Sequence, residues 1–331
     1  MSRPRPAPLA AAILLPLVLG TGWSGEERRA LPQPGPARIV ATPVALDPAD
    51  PARRRVGALR FLGGVALASP DRAFGSFSAI AVAPARAGTR VMLVSDAGHV
   101  ARMTLDARWR IADPRFGELP AGPRTGWEKR DRDAESLARD PATGRVWVGF
   151  ESANQIWRYG PDGIAFAAPA AMRAWRSNGG PESLARLRDG RFVALSESRP
   201  YGAAARAGLV WRGDPVADPR PAFAFRYVPA PGYDPADLTE LPDGRLLVLE
   251  RALFLPFRWS NRLVLIDPDA LRPGAAVSGR EIARLEAPLV HDNFEGIAAL
   301  REDGATVLWL VSDDNWLPIQ TTYLLKFRFD G

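Results

Sequence analysis

The sequence has no cysteine and only two histidines, His99 and His291. The first absence excludes disulfides, thiolate zinc sites and a cysteine nucleophile, and the second excludes a histidine-rich metal centre. There is no G-x-S-x-G elbow, no phosphate-cradling P-loop and no H-E-x-x-H helix, so the signatures of three large enzyme classes are missing. A Ser–His pair built on His291 beside Asp292 would need a serine nucleophile, and no serine is marked out for that role. Sustained helical periodicity is also lacking beyond the N-terminal segment, which argues against α/β folds.

The net charge of +6 does not come from a basic block, since the longest basic run is Arg53, Arg54 and Arg55. Nucleic-acid binders concentrate positive charge in a patch with aromatic platforms between, so no nucleic-acid partner is expected. With 47% apolar and 24% charged residues over 331 positions, the chain can bury a core and can do so as one all-β domain. Arg3 and Arg5 precede an apolar stretch from Leu9 to Gly20 and small residues around Thr21 to Gly25. That order fits a secretory signal peptide, and the stretch is short for a membrane span. Residues 1–25 are read as the signal peptide, 26–54 as a Pro-rich linker and 55–331 as the folded domain. A periplasmic or secreted monomer with no further membrane span is expected. No clean A-x-A cleavage site follows, so a retained membrane tether stays open as the alternative.

What the sequence does contain is a repeat. Segments beginning at Phe77, Ala134, Pro181, Ala236 and Phe294 match one another and are spaced by 47 to 58 residues. Each starts with a short apolar strand, passes a turn such as Asp189-Gly190 or Asp243-Gly244, and enters a second strand rich in Val, Leu and Trp. An Asp-Gly pair between two β-rich runs is a strong hairpin signal. Third strands follow (HVARMTL, NQIWRY, GLVWRG, NRLVLID, YLLKFRF). Repeats of this length with three or four strands are the signature of β-propeller blades. Five repeats predict five blades, with LRFLGGVALAS from Leu59 completing the last one and closing the ring. A divergent sixth blade over Ala37 to Ala68 is the alternative. The tryptophans are read as packing between blades, with Trp316 in a face loop.

In a propeller the loop entering the inner strand and the loop leaving the second strand lie at the same end. At the entry the repeats carry Asp133, Glu135, Glu182, Asp237, Asp292 and Glu295; after the second strand they carry Asp96, Glu151, Glu197, Glu250, Asp313 and Asp314. Crowded carboxylates need cations, Arg partners or raised pKa values. Oxygen ligands suit hard cations, Ca²⁺ first. The bland alternative is that these acids brace turns by accepting backbone N–H bonds. Lys129, Arg130, Arg132, Arg199 and Arg251 lie in the same loops. They serve either to capture an anion or to neutralise the acids.

Taken together, DAESL, GPESL, LLVLER, DNFEGIA and LVSDDN resemble the family described as having an esterase-like or phytase-like propeller domain, over roughly Arg55 to Asp330. The resemblance implies an exported bacterial protein and a phosphoester or ester hydrolase acting through calcium. Carried onto this sequence, Glu135, Glu182, Asp237 and Glu295 would be inner ligands, with Glu151, Glu197, Glu250 and Asp313 around them. Asp133 and Asp292 complete the candidate metal set. Glu182 and Glu295 are the catalytic candidates, and Arg251, Arg132, Arg199 and His291 the contacts for a small anionic ester. Ser136 and Ser183 replace a Gly of the family pattern and would narrow the channel mouth. Two other readings stay open: a non-catalytic propeller that binds a ligand, glycan or partner protein through this face, and a lactonase-like metal-dependent propeller.

Overall fold

A computed structural model describes residues 35–124, 129–197, 204–256 and 258–331. The chain enters through β1 (Val40–Pro43), β2 (Arg55–Val56) and β3 (Leu59–Ala68). Blade 1 follows as β4 (Phe77–Ala85), β5 (Gly88–Ser95), β6 (His99–Leu105) and β7 (Ile111–Glu118). Blade 2 is β8 (Ala134–Arg139), β9 (Val146–Phe150), β10 (Gln155–Gly160) and β11 (Gly163–Ala167). Blade 3 is β12 (Pro181–Arg186), β13 (Phe192–Ser196), β14 (Arg206–Trp211) and β15 (Phe223–Tyr227). Blade 4 is β16 (Asp234–Glu240), β17 (Leu246–Phe254), β18 (Arg258–Ile266) and β20 (Arg280–Leu285), and β19 (Ala276–Val277) returns to lie parallel to β15. Blade 5 is β21 (Asn293–Glu302), β22 (Ala305–Asp313) and β23 (Thr322–Phe329), completed by β3 antiparallel to β23.

The N-terminal strand thus closes the ring as the repeat pattern implies, and the segment Ala37 to Ala68 joins blade 5 instead of forming a sixth blade. β1 lies inside the stretch read as a linker and pairs along β3. The stretch read as a signal peptide, residues 1–25, lies outside the described residues. Among the described residues no helix is long and apolar enough to cross a membrane.

Each blade is a small twisted sheet that cannot bury both faces alone. The core is accordingly divided into five clusters, one in each gap between neighbouring blades. Val148, Phe150 and Trp157 of blade 2 meet Ala79, Val94 and Val100 of blade 1. Trp147 meets Phe192 of blade 3 edge-on at 4.9 Å. Leu249, Leu263 and Leu285 of blade 4 pack on Phe294, Leu310 and Leu325 of blade 5. At the end opposite the acids, hairpin turns place Gly190 and Gly244 at φ 93° and 94°, backbone geometry that glycine adopts without steric cost. Arg191 and Arg245 cap these turns by bonding Asp189 and Asp243.

Candidate functional site

One irregularity recurs at the same point of every inner strand. Its register against the second strand slips between Phe77 and Ala79, Ala134 and Ser136, Pro181 and Ser183, Pro235 and Asp237, and Phe294 and Gly296. The extra residue of each β-bulge is in turn Ser78, Glu135, Glu182, Ala236 and Glu295. A bulge re-aims a side chain, and in blades 2, 3 and 5 the side chain it re-aims is a glutamate. Opposite the bulge, the second strand places Ser95, Phe150, Ser196, Glu250 and Ser312. The residue after each of these is Asp96, Glu151, Glu197, Arg251 and Asp313. Blade 4 therefore breaks the acid pattern twice, with Ala236 at the bulge and Arg251 where the other blades carry a carboxylate.

These rows converge. Carboxylate oxygens of Asp96, Glu135 and Glu295 lie within 4.8 Å of one another, as do those of Asp133, Glu135 and Glu151, and of Glu151, Glu182 and Glu197. Glu135 and Glu151 are each shared by two groups, so the acids form one continuous chain across the centre of the ring. Asp133 precedes β8 in a left-handed conformation, φ 48°, after the short helical turn Lys129–Arg132. Asn293 links the far end, donating to Glu295 at 2.7 Å and to Asp313 at 3.4 Å.

Arg251 sits among them, its side chain 16% exposed, and donates to Glu197 at 2.9 Å and to Asn293 at 3.1 Å while also pairing with Glu295. Burial works against its charge, but Glu197, Glu182 and Glu135 outweigh this and raise its pKa. Burial, reinforced by Asp133 and Glu197, pushes Glu151 up to about 9. Glu182, 3% exposed, is held well above the usual carboxylate range by burial and then by Glu197, Glu135 and Glu151. No protein donor among the described residues is bonded to the Glu182 carboxylate, although Glu151 accepts from the Gly180 N–H at 3.2 Å. The donor set is entirely oxygen and anionic, so the residues fit a hard divalent cation.

Other candidates are placed elsewhere. Asp237 is the residue after the bulge, not the bulge itself, and its carboxylate accepts the N–H groups of Leu238 at 2.7 Å and Ile297 at 2.8 Å, strapping blade 4 to blade 5. Burial raises its pKa. Ser136 holds the equivalent place in blade 2 and donates to the Pro181 carbonyl of blade 3 at 2.5 Å. It fills the gap between blades and does not narrow the mouth. Glu250 faces the blade 3–4 gap, where it accepts from Tyr227 at 2.6 Å and pairs with Arg262. Asp292 accepts from the N–H of Asn293 at 2.8 Å and of Thr321 at 2.9 Å, and from Gln320 at 3.2 Å, pinning the loop after β22. His291 donates through Nδ1 to the Leu289 carbonyl at 2.7 Å. Arg132 lies against Gly98 and Gly122, its Nη1 buried without a partner. Arg199 lies outside the described residues. Asp314, seen in the sequence only as part of a run, accepts from Ser76 N–H at 2.9 Å and Thr322 at 2.7 Å, and Trp316 donates to the Phe74 carbonyl at 3.2 Å, which ties blade 5 to blade 1.

Asp237→Ala should therefore act on stability alone. It orphans two buried N–H groups, at about 1–3 kcal/mol each, and leaves cation affinity unchanged. Denaturant unfolding beside a calcium titration checks this, and a loss of affinity without loss of stability would contradict it.

Fold and site together define a five-bladed β-propeller with a buried acid centre at one end of its axis. The chain belongs to the phytase-like family, described as "Esterase-like activity of phytase", whose model matches residues 72–316. No curated protein matches the chain. Among solved structures it is similar to Kuenenia stuttgartiensis hydrazine synthase, at 13% identity over 74% of this chain and 58% of that one, TM-score 0.36. The chain thus spans less than two thirds of that protein. It is also similar to MPT-4, a mannose phosphorylase from Leishmania mexicana solved with phosphate ion, at 11% identity over 96% and 93% of the two chains, TM-score 0.40. A gluconolactonase from Xanthomonas campestris matches at 12% identity over 89% and 98%, TM-score 0.39.

Proposed function

We propose that the protein is a calcium-dependent hydrolase of a phosphate ester or a related ester, exported to the periplasm or beyond. The observation that carries this reading is the buried chain of carboxylates, above all Glu182, a buried acid with no donor among the described residues, in contact range of further acids. A structural brace has its oxygens occupied, as those of Asp237, Glu250 and Asp292 are; among the described residues those of Glu182 are not. Asp96, Asp133, Glu135, Glu151, Glu182, Glu197 and Glu295 would hold the cation. A bound hard cation polarises an ester oxygen and lowers the pKa of water.

The residues around it set the conditions for that chemistry. Arg251 keeps Glu197 and Glu295 in place and contributes the positive charge that favours an anionic substrate at the mouth. Asn293 orients Glu295 and Asp313. Burial and the neighbouring acids favour the protonated forms of Glu151 and Glu182, so a cation that binds here displaces protons. Family membership adds weight to hydrolysis over simple ligand binding. The test is turnover of p-nitrophenyl phosphate and p-nitrophenyl acetate in EDTA and after adding Ca²⁺. Hydrolysis of at least one ester should fall about 100-fold or more in EDTA and return with calcium. Turnover that ignores EDTA, or none of either ester with calcium present, would overturn the proposal.

A further inference from the structure

Five exposed large apolar side chains, Leu253, Phe254, Leu255, Leu317 and Ile319, belong to two connections, the hairpin end joining β17 to β18 and the loop leaving β22. Both connections rise from the acid end of neighbouring blades. The other exposed large apolar residues among the described ones sit on outer strands. The concentration at the acid mouth follows from strand length. In blades 1, 2 and 3 the second strand stops at Ser95, Phe150 and Ser196, whereas β17 runs three residues beyond Arg251 to Phe254 and pairs back through Leu253 with Trp259 and Phe254 with Arg258. At about 3.3 Å per residue the hairpin stands about 10 Å above the acids.

Leu253 is two residues past Arg251 and so lies on the same side of the strand as the guanidinium that touches Glu197 and Glu295. Phe254 points the other way, against Tyr233 at 6.1 Å and under Arg258. Leu255 is 68% exposed, and Leu317 and Ile319, in the loop leaving β22 on the next blade, are 47% and 69% exposed. That loop is preformed, since Gln320 and Thr321 bind Asp292 and Trp316 binds Phe74.

We infer that the ester taken at this site carries an apolar alkyl or aryl group, gripped by the rim formed by Leu253 and Leu255 on blade 4 with Leu317 and Ile319 on blade 5. This rests on the reading of the acids as an ester site. Binding energy from such a non-reacting group is what a hydrolase can use to position the scissile bond.

The experiment is calorimetric binding of hexylphosphonate and methylphosphonate to the calcium-loaded protein, for the wild type and the double variant Leu255→Ser, Ile319→Ser. Both substitutions replace exposed side chains, so the fold is retained. The wild type should prefer hexylphosphonate about tenfold, since a rim covers only one side of an apolar chain. The variant should lose that preference while binding methylphosphonate as before. Equal affinities in the wild type would overturn the rim and leave the ester reading standing. No binding of either phosphonate, with calcium still raising the unfolding temperature, would overturn the ester reading and the rim with it. A preference that survives in the variant, while sedimentation with phosphatidylcholine–phosphatidylglycerol vesicles is lost, would make the rim a lipid contact and also overturn the inference.

Discussion

Arg251→Met should lower the stability of the metal-free protein at pH 8 by about 3–5 kcal/mol, the usual cost of removing one member of a buried ion pair. The guanidinium is the cationic partner of Glu197 and Glu295 and also bonds Asn293. Methionine keeps much of the volume but removes the positive charge that Glu197, Glu182 and Glu135 feel from this side chain. Calcium should then restore more stability to the variant than it adds to the wild type, because a ligand that binds only the folded state stabilises it by mass action. Denaturant titrations in EDTA and in calcium measure both effects. A loss under about 1 kcal/mol would mean that Arg251 behaves as a surface charge.

Glu182→Gln has the opposite signature. The substitution is isosteric and replaces a buried, ionisable carboxyl whose neighbours are also acids with a neutral amide. Metal-free protein should become more stable at pH 8, since the amide bears neither the cost of a buried charge nor that of keeping a carboxyl protonated above its ordinary pKa. Calcium-dependent hydrolysis should fall by about 100-fold or more, given that even outer-shell partners of a metal are worth 10–100-fold. Glu295→Gln should lose activity similarly but gain no stability, because Glu295 answers Arg251. A Glu182 variant that is both active and no more stable would remove the main support for a cation at this place.

The repeat made the propeller and its closing strand legible: five hairpins of one pattern can bury their faces only against one another, and LRFLGGVALAS needed a partner. Glu135, Glu182 and Glu295 were legible as a converging set for the same reason. Blade 4 was misread because its acids were aligned by type. Glu182 stands seven residues before Asp189, and Glu197 seven after Gly190; the same counts from Asp243 and Gly244 reach Ala236 and Arg251. Counting from the turn would have removed Asp237 and Glu250 from the ring and put Arg251 into it. The bulge that aims each glutamate has no residue signature of its own, and the fates of Asp292 and His291 depend on loop contacts that no spacing reveals.

The central claim is that the buried acids are held for a divalent cation. It is tested most directly by thermal unfolding of the metal-free protein across pH 5 to about 9, with and without Ca²⁺. Glu151 binds its proton more tightly when folded, its pKa moving from 4.5 to about 9, and Glu182 shifts in the same direction. Across this window the folded state holds more protons than the unfolded one, so stability of the metal-free protein must fall as pH rises. Calcium displaces those protons, so its stabilising effect should grow with pH and flatten or reverse the decline. Unfolding temperatures that do not respond to calcium at any pH would contradict the account and leave the carboxylates as an internal brace.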